Sequence, residues 1–303
     1  MNSIEAMQTE IGYQVQDLQK LETPSLDGNC LFVGSGDSYV AGLAAQHVSG
    51  NQASCCYPID VVQNASLVNG RHVYFVSISG NTRDNILAAR IAKKQGVRIT
   101  AITARPTSKL AKICDQVIAL KYRNAGMTTA GTISFTTSVL TCVSLVKNLE
   151  LPADLDKIFR KAENQAEQAV GKIINKRSFI ILGNGALYLA AIYGSFKFNE
   201  IFGARAVSYS AEEFCHSPLF SVKKSDQIIV IGSDSDFLNK RLRHEGFSSV
   251  HVNLKSEGIE LLFQSIFFVQ LLVLRLAQRR GLTDCYFLKN KKLLKMSSDL
   301  IYD

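Results

Sequence analysis

The fold is decided by the stretch HVYFVSISGNT, residues 72–82. Residues 72–76 form an apolar run of the length of a buried strand, and residues 77–82 form a loop of hydroxyl side chains around one glycine. A helical pattern follows over residues 84–95, and residues 98–103 form the next apolar run. Strands that alternate with helices of this length predict an α/β fold with a parallel sheet and right-handed crossovers.

The same order of strand, glycine turn and helix occurs twice along the chain. In the first half, the apolar run 30–33 leads into Gly34-Ser35-Gly36-Asp37-Ser38, and in the second half another apolar run leads into Gly183-Asn184-Gly185. Gly34 and Gly183 are 149 residues apart, while the apolar runs 72–76 and 227–231 are 155 residues apart. These spacings predict an internal duplication and therefore two similar α/β halves.

The two halves differ at the loop after their second strand. The first half has Ser77, Ser79 and Thr82, whereas the second half has Gly232-Ser233-Asp234-Ser235-Asp236. Two aspartates would repel a phosphate group. We therefore expect the first half to bind an anionic ligand and the second half to supply scaffold and catalytic side chains.

The loop Ser77–Thr82 has the composition of a phosphate site. It leaves a strand and opens a helix, so backbone N–H groups and the positive end of the helix dipole face outward. Its hydroxyls can donate to phosphate oxygens, and Gly80 permits a close turn. An ordinary helix-capping loop is an equally good interpretation of these residues taken alone, because Ser, Asn and Thr cap helices in many proteins.

The turn that contains Gly36 and Ser38 repeats this chemistry at the end of the first strand, where ligands collect in open parallel sheets. The turn lacks the third glycine of a Rossmann motif, and it lacks the Gly-Lys-Ser/Thr of a P-loop. Nucleotide binding is therefore not indicated.

Bulk composition narrows the class of protein further. The net charge of +8 favours anionic partners, but the cations are dispersed and no nucleic-acid motif accompanies them, which favours phosphorylated metabolites over nucleic acid. Seven cysteines without metal-ligand spacing predict free thiols in a cytoplasmic protein with no metal. The apolar stretch 259–277 is interrupted by Glu260, Gln264, Gln270 and Arg275, which predicts a buried core helix and no membrane role.

The pattern Ser-x-Ser-Gly-Asn-Thr within residues 76–87 resembles the phosphosugar loop of the sugar isomerase (SIS) domain family. This family includes the isomerase half of glucosamine-6-phosphate synthases and stand-alone sugar-phosphate isomerases and amino-sugar-phosphate deaminases. The resemblance implies two SIS subdomains, each a three-layer α/β/α sandwich with a parallel, flavodoxin-like sheet. We expect an N-terminal helix at 1–24, a phosphate-binding subdomain at 25–152, a catalytic subdomain at 153–280 and a closing tail at 281–303.

Three titratable residues match the family in register. Lys197 and Glu200 are followed after sixteen residues by His216, at the separation of the family's Lys-x-x-Glu and His-Gly-Pro-Leu segments. The resemblance implies that Glu200 moves a proton between C1 and C2, that Lys197 is a cation near the enediolate, and that His216 opens the sugar ring. Without the family register, a surface Glu200, an i, i+3 salt bridge to Lys197 and a turn histidine would be the better interpretation.

Two further assignments depend on the same resemblance. The basic tail suggests a lysine that enters the site, for which Lys295 fits the family's Leu-x-Lys register better than Lys292, with a solvated tail as the alternative. A second loop around the sugar resembles residues 129–136, where Thr132 is a candidate contact and Ile133 replaces a lysine of the synthases. The complete predicted sugar-phosphate contact set is Ser77, Ser79, Asn81, Thr82, Gly36, Ser38 and Thr132.

The family implies an enzyme that isomerises or deaminates a hexose or amino-hexose 6-phosphate, such as fructose 6-phosphate or glucosamine 6-phosphate, without a cofactor. It also implies a homodimer, with the site at the subunit interface. No glutaminase segment is recognised in this sequence. Two alternatives stay open: a non-catalytic sugar-phosphate sensor, and a synthase subunit that uses ammonia or a separate glutaminase partner.

Overall fold

The chain folds into two compact units, each built around its own sheet. The computed structural model describes residues 1–24, 26–127, 130–149, 151, 154–174, 176–232 and 236–302. The five-stranded unit comprises Gln16–Asn124, Ile133–Leu151 and Lys291–Asp303, and the four-stranded unit comprises Met1–Val15, Ala125–Thr132 and Pro152–Asn290. Neither unit is one continuous stretch of sequence. The domain limits expected at residues 24, 152 and 280 stay a prediction.

Strands and helices alternate along most of the chain. The strands are β1 Cys30–Val33, β2 Ser54–Cys56, β3 His72–Val76, β4 Ile99–Thr103, β5 Gln116–Ala119, β6 Ser178–Gly183, β7 Arg205–Ser210, β8 Gln227–Ile231 and β9 Ser248–Val252. The helices are α1 Ser3–Gln19, α2 Asp37–Val48, α3 Pro58–Gln63, α4 Arg83–Lys94, α5 Lys109–Ile113, α6 Ile133–Ser144, α7 Leu155–Val170, α8 Ala186–Phe202, α9 Ala211–His216, α10 Asp236–His244, α11 Gly258–Arg279, α12 Tyr286–Lys289 and α13 Lys291–Ile301.

Both sheets are parallel throughout their described strands. The strand order is β2-β1-β3-β4-β5 in one unit and β7-β6-β8-β9 in the other. The central strands β1, β3 and β8 are buried along almost their whole length, as expected for parallel strands covered by helices on both faces. The predicted α/β class with two parallel-sheet subdomains is confirmed.

The glycine turns after β1 and β6 repeat each other closely. Gly36 has φ 56° and ψ −130°, and Gly185 has φ 55° and ψ −126°. A Cβ on Gly34 would lie 2.9 Å from the carbonyl carbon of Ser38, and a Cβ on Gly183 would lie 2.5 Å from the carbonyl oxygen of Leu187. Each turn thus packs against the residue four positions later, and this equivalence supports the internal duplication.

Helix α11 is long and apolar enough to cross a membrane by length and composition alone, but 78% of its apolar window is buried inside the fold. It packs against α7 and α8 within the four-stranded unit. The prediction that this stretch is a buried core helix is therefore confirmed.

All seven cysteines are free, as predicted. Burial raises the pKa of Cys30 and Cys114 to about 12 and that of Cys56 to about 11. These thiols therefore stay protonated at neutral pH and have little nucleophilic character.

A partly buried polar cluster joins the amino ends of neighbouring strands in the five-stranded sheet. Asp27 accepts hydrogen bonds from His72 Nδ1 and from the Tyr74 hydroxyl, while His72 Nε2 lies 2.8 Å from Thr100 Oγ1. Burial outweighs the contact with Asp27 and lowers the pKa of His72 below 6.5. A neutral imidazole suits both contacts, because it donates from Nδ1 to Asp27 and accepts the Thr100 hydroxyl at Nε2.

Replacing His72 with Gln is expected to flatten the dependence of stability on pH between about pH 7 and pH 5. Because folded His72 has the lower pKa, the unfolded chain binds more protons as the pH falls, and the wild type loses stability. The measurement is the Tm at pH 7.5 and pH 5.5, with His47→Gln, an exposed histidine on α2, as the control. Equal pH dependence in His72→Gln and wild type would contradict this role.

Candidate functional site

The predicted phosphate-binding residues of the five-stranded unit lie at the topological switch point of its sheet, where the strand order reverses. From β1 the chain runs to β2 on one side of β1, and β3 then pairs with its other side. The turn Gly34–Ser38 and the loop Ser77–Thr82 therefore follow adjacent parallel strands at the same edge of the sheet. This switch point is where open α/β sheets bind ligands.

The loop Ser77–Thr82, called the anion loop below, is held by its own side chains. The Ser77 hydroxyl accepts the Gly80 N–H at 3.1 Å and lies 3.3 Å from the Thr82 hydroxyl. Ser79 Oγ accepts the Asn81 N–H at 3.3 Å, and Asn81 Oδ1 accepts the Lys109 N–H at 3.3 Å. These bonds fix the loop backbone at the start of α4.

The capping interpretation of this loop is not supported at α4. Thr82 occupies the N-cap position but makes no side-chain capping hydrogen bond. The neighbouring helix α5, in contrast, is capped by Ser108 Oγ, which accepts the Ala111 N–H at 3.3 Å. The first N–H groups of α4 thus have no side-chain cap, as an anion site at a helix start requires. Asp84 also lies in this turn, exposed, with its carboxylate 3.8 Å from Arg83 Nε.

Gly80 is the residue that this loop geometry requires. Its φ is +60°, in the left-handed region, and a Cβ there would lie 2.0 Å from Ser108 Oγ. Both the backbone angle and the close approach to α5 therefore exclude a side chain.

The C-terminal helix α13 ends beside the anion loop within the same unit. Thr82 and Tyr302 form an antiparallel β-bridge, and Arg83 Nη2 donates to the Leu300 carbonyl at 3.0 Å. Lys295 and Lys292 are both exposed on α13. Helix α13, whose end contacts the anion loop, therefore carries both candidate lysines. Which of the two enters the site stays a prediction.

Lys197 and Glu200 form an ion pair on α8 in the four-stranded unit. Lys197 Nζ lies 2.7 Å from Glu200 Oε2, and the Lys197 side chain is 0% exposed whereas that of Glu200 is 34% exposed. The Lys197 ammonium also lies 5.0 Å from the centre of the Tyr193 ring. The carboxylate can therefore meet a ligand, while the buried ammonium compensates its charge.

His216 is exposed at the last position of α9. Two contacts place the start of this short helix: Ser210 Oγ accepts the Glu213 N–H at 3.1 Å, and Asn184 Oδ1 accepts the Ala211 N–H at 2.9 Å. The second contact ties α9 to the turn after β6. His216 is therefore accessible, but its predicted role in ring opening stays a prediction.

Thr132 is completely buried, and its hydroxyl donates to Glu10 Oε2 at 2.6 Å. The Glu10 carboxylate also accepts the N–H groups of Ala125 and Met127. A contact of Thr132 with a sugar stays a prediction, since the described hydroxyl points to an interior partner.

The sequence interpretation assigned no role to Glu10 or to Tyr193. A signal for Glu10 was present in the spacing of α1, because Glu10 lies on the same helix face as Met7, Ile11 and Leu18. A charged residue on a buried face is rare unless it has a partner. Tyr193 carried no such signal, because α8 is apolar on most of its surface.

The second-half counterpart of the anion loop can be described only in part, because Ser233, Asp234 and Ser235 lie outside the described residues. Asp236, which follows them, has Lys240 Nζ at 2.6 Å from its carboxylate. The hydrogen bond from Lys240 lowers the pKa of Asp236. This end of the loop thus carries a compensated negative charge.

A cavity in the four-stranded unit is lined by none of the predicted catalytic or sugar-phosphate-binding residues. It has a volume of about 780 Å³ and opens between α7, the end of β9 and the start of α11. Within the described ranges, no three His, Cys, Asp or Glu side chains cluster as metal ligands.

Two parallel sheets with flanking helices and repeated glycine turns define a doubled open-sheet α/β protein. The chain belongs to the SIS domain family, because the SIS domain model matches residues 27–147 and 172–240, more than half of the chain. The resemblance inferred from the anion loop is thereby confirmed.

The chain is similar to the glutamine–fructose-6-phosphate aminotransferase [isomerizing] of Caldanaerobacter subterraneus subsp. tengcongensis. The two are 26% identical over 268 residues, which cover 80% of this chain and 43% of that protein. The chain thus spans less than half the length of the curated relatives it matches.

Two solved structures of similar fold cover 93% of this chain and are themselves covered to 93%. Glucosamine-6-phosphate deaminase from Thermotoga maritima has a TM-score of 0.69 at 22% identity. Tagatose-6-phosphate ketose/aldose isomerase from Escherichia coli has a TM-score of 0.68 at 18% identity. At these identities the likeness shows the fold alone.

Gly80→Ala is expected to weaken binding of inorganic phosphate at least tenfold, because a methyl group at φ +60° would collide with Ser108 and displace the anion loop. The matched control is Gly96→Ala, where φ is +72° but nothing lies within 4 Å of the added carbon. Both variants should lose about 1 kcal/mol of stability or more from the backbone angle, but only Gly80→Ala should lose phosphate affinity in calorimetric titration. Equal affinities in the two variants would refute the assignment of the loop.

Proposed function

We propose that this chain is a phosphosugar isomerase-type enzyme that interconverts or deaminates a hexose or amino-hexose 6-phosphate. The observation that carries the proposal is the Lys197–Glu200 pair, in which a partly exposed carboxylate is neutralised by a fully buried ammonium 2.7 Å away. Moving a carbon-bound proton requires a carboxylate of this kind, which can meet the substrate and return to its charged form.

Phosphate recognition is assigned to the anion loop, with Ser77, Ser79, Asn81 and Thr82 as its members. Support comes from the uncapped start of α4 and from the switch point of the sheet, where the turn with Gly36 and Ser38 also lies. The N–H groups at a helix start and the helix dipole both favour a dianionic phosphate. Binding energy from this remote group would hold the sugar carbons in a reactive position.

Proton transfer is assigned to Glu200. In the ketose direction, Glu200 removes the proton from C2 of the aldose, the C–H electrons form the C1=C2 double bond, and the C1 oxygen accepts a proton. The resulting enediol collapses when Glu200 returns the proton to C1 and the C2 hydroxyl loses its own. His216 is assigned to ring opening, and a tail lysine, Lys295 or Lys292, to the charge of the enediolate.

The nature of the substrate's C2 group decides between isomerisation and deamination. A hydroxyl gives an enediol. An amino group gives an enolamine, which takes a proton at C1 to become a C2 ketimine, and water hydrolyses this ketimine to the ketose and ammonia. The named activities of the relatives include both an aminotransferase and a deaminase. The proposal includes a homodimer in the cytoplasm, and a glutaminase partner if the chain acts as a synthase subunit.

Glu200→Gln is expected to reduce turnover by about 10²-fold to 10⁴-fold, because it removes the proton acceptor and keeps the shape of the side chain. Fructose, glucose, mannose and glucosamine 6-phosphates would each be incubated with the protein in D2O, with and without ammonia. NMR then reports deuterium uptake at C1 and C2, and a coupled assay reports ammonia.

The control is Glu260→Gln, an exposed glutamate in the first turn of α11 that should leave turnover unchanged. If the wild-type protein binds fructose 6-phosphate but exchanges no proton with any of these sugars, the enzyme proposal is wrong and the sensor interpretation takes its place. Full activity in Glu200→Gln would remove Glu200 from the mechanism.

A further inference from the structure

Glu10 is a buried carboxylate that the proposed chemistry does not use. It is 2% exposed, and an ionised group so far from water is costly unless its oxygens are hydrogen-bonded. Ala125 N–H and Met127 N–H donate to Oε1 at 3.1 and 3.2 Å, and Thr132 Oγ1 donates to Oε2 at 2.6 Å. All three donors belong to the described residues 125–127 and 130–132, which together are called the tethered segment below.

The backbone of the tethered segment is strained where it is described. Ala130 has φ +55°, in the left-handed region, which costs a residue with a Cβ about 1–2 kcal/mol. Two neighbouring carbonyls are held from other elements: the Tyr193 hydroxyl donates to Gly131 O at 2.7 Å, and Gln270 Nε2 donates to Thr132 O at 3.1 Å. Such strain persists only where the surroundings fix the chain from several sides.

Tyr193 connects this segment to the Lys197–Glu200 pair. Its hydroxyl end is tied to Gly131, and its ring lies 5.0 Å from the Lys197 ammonium, a distance at which a cation is attracted to an aromatic face. Tyr193 is fully buried, so its ring cannot move without repacking. A displacement of the tethered segment would therefore shift the ring on which the ammonium rests.

We infer that Glu10 is a positioning residue, whose carboxylate fixes the tethered segment and, through Gly131 and Tyr193, the Lys197 ammonium beside Glu200. The expected effect of Glu10 on turnover rests on the proposed function, whereas its expected effect on the position of the Lys197 ammonium does not. Glu10 touches no reacting atom in this scheme. It sets the place of the cation that compensates the catalytic carboxylate.

The kinetic test is a double-mutant cycle of Glu10→Leu and Tyr193→Phe. Leu removes every acceptor of Glu10, and Phe keeps the ring while it releases Gly131. Each variant is expected to lower kcat about tenfold with KM changed less than twofold, a loss of about 1.4 kcal/mol. Because both break the same chain of contacts, the double variant should lose about as much as either single one, whereas independent effects would multiply to about a hundredfold.

Two further variants test whether a fall in kcat merely reflects a loss of stability. Glu10→Gln keeps the shape and an acceptor oxygen, so it should fold even where Glu10→Leu does not, with a smaller fall in kcat. Asp226→Asn is the matched control, since Asp226 is also a poorly exposed carboxylate of the four-stranded unit and accepts the Lys223 N–H at 2.8 Å. It should lower the Tm and leave kcat unchanged.

A measurement without substrate separates this inference from the proposed function. In protein labelled with ¹⁵N-lysine, the ammonium resonance of Lys197, assigned with Lys197→Met, should shift in Glu10→Gln and in Tyr193→Phe but not in Asp226→Asn. A wild type without turnover would defeat the proposed function, and the Lys197 resonance would still decide the role of Glu10. An unshifted resonance in both variants, or kinetic effects that multiply, would overturn the positioning role.

Discussion

The start of helix α4 is the constraint on which the proposed site depends. The first N–H groups of any α-helix lack partners inside it, and here the cap residue Thr82 supplies none with its side chain. The parallel order of β1 and β3 places this helix start at the switch point of the sheet. Gly80 can be nothing but glycine, because its backbone angle and its approach to Ser108 leave no room for a Cβ. The fold thereby places helix-start N–H groups that have no side-chain cap at the edge of the sheet where a small anion is proposed to bind.

The second constraint is the compensation of charge inside the four-stranded unit. Lys197 is wholly buried, and its removal from water is balanced by Glu200 and by the face of Tyr193. A similar balance holds at Glu10, where three donors of one segment meet a single carboxylate. The salt bridge and the proposed catalytic pair, which were competing interpretations of Lys197 and Glu200, are both compatible with this geometry. A general base needs its charge both supported and accessible, and only the Glu200 end of the pair is accessible.

Local patterns predicted the centre of each sheet well and its edges poorly. The apolar runs at β1, β3, β6 and β8 and the glycine turns after them are confirmed, because burial on both faces leaves a continuous apolar signal. The edge strands β2 and β5 carried no such signal, since one has three residues and the other is half exposed. Within the site, the contact of Glu10 with Thr132 joins residues 122 positions apart. No local spacing could reveal it, although a glutamate on the buried face of α1 pointed to a missing partner.

The central claim is that the open helix start binds the phosphate of a sugar phosphate. Its most direct test is a ¹H–¹⁵N titration of deuterated protein with fructose 6-phosphate, inorganic phosphate and free fructose. The account predicts saturable shifts of the backbone amides of residues 79–83 with the first two ligands and no shift with fructose. Binding of fructose 6-phosphate that leaves these amides unmoved would contradict it.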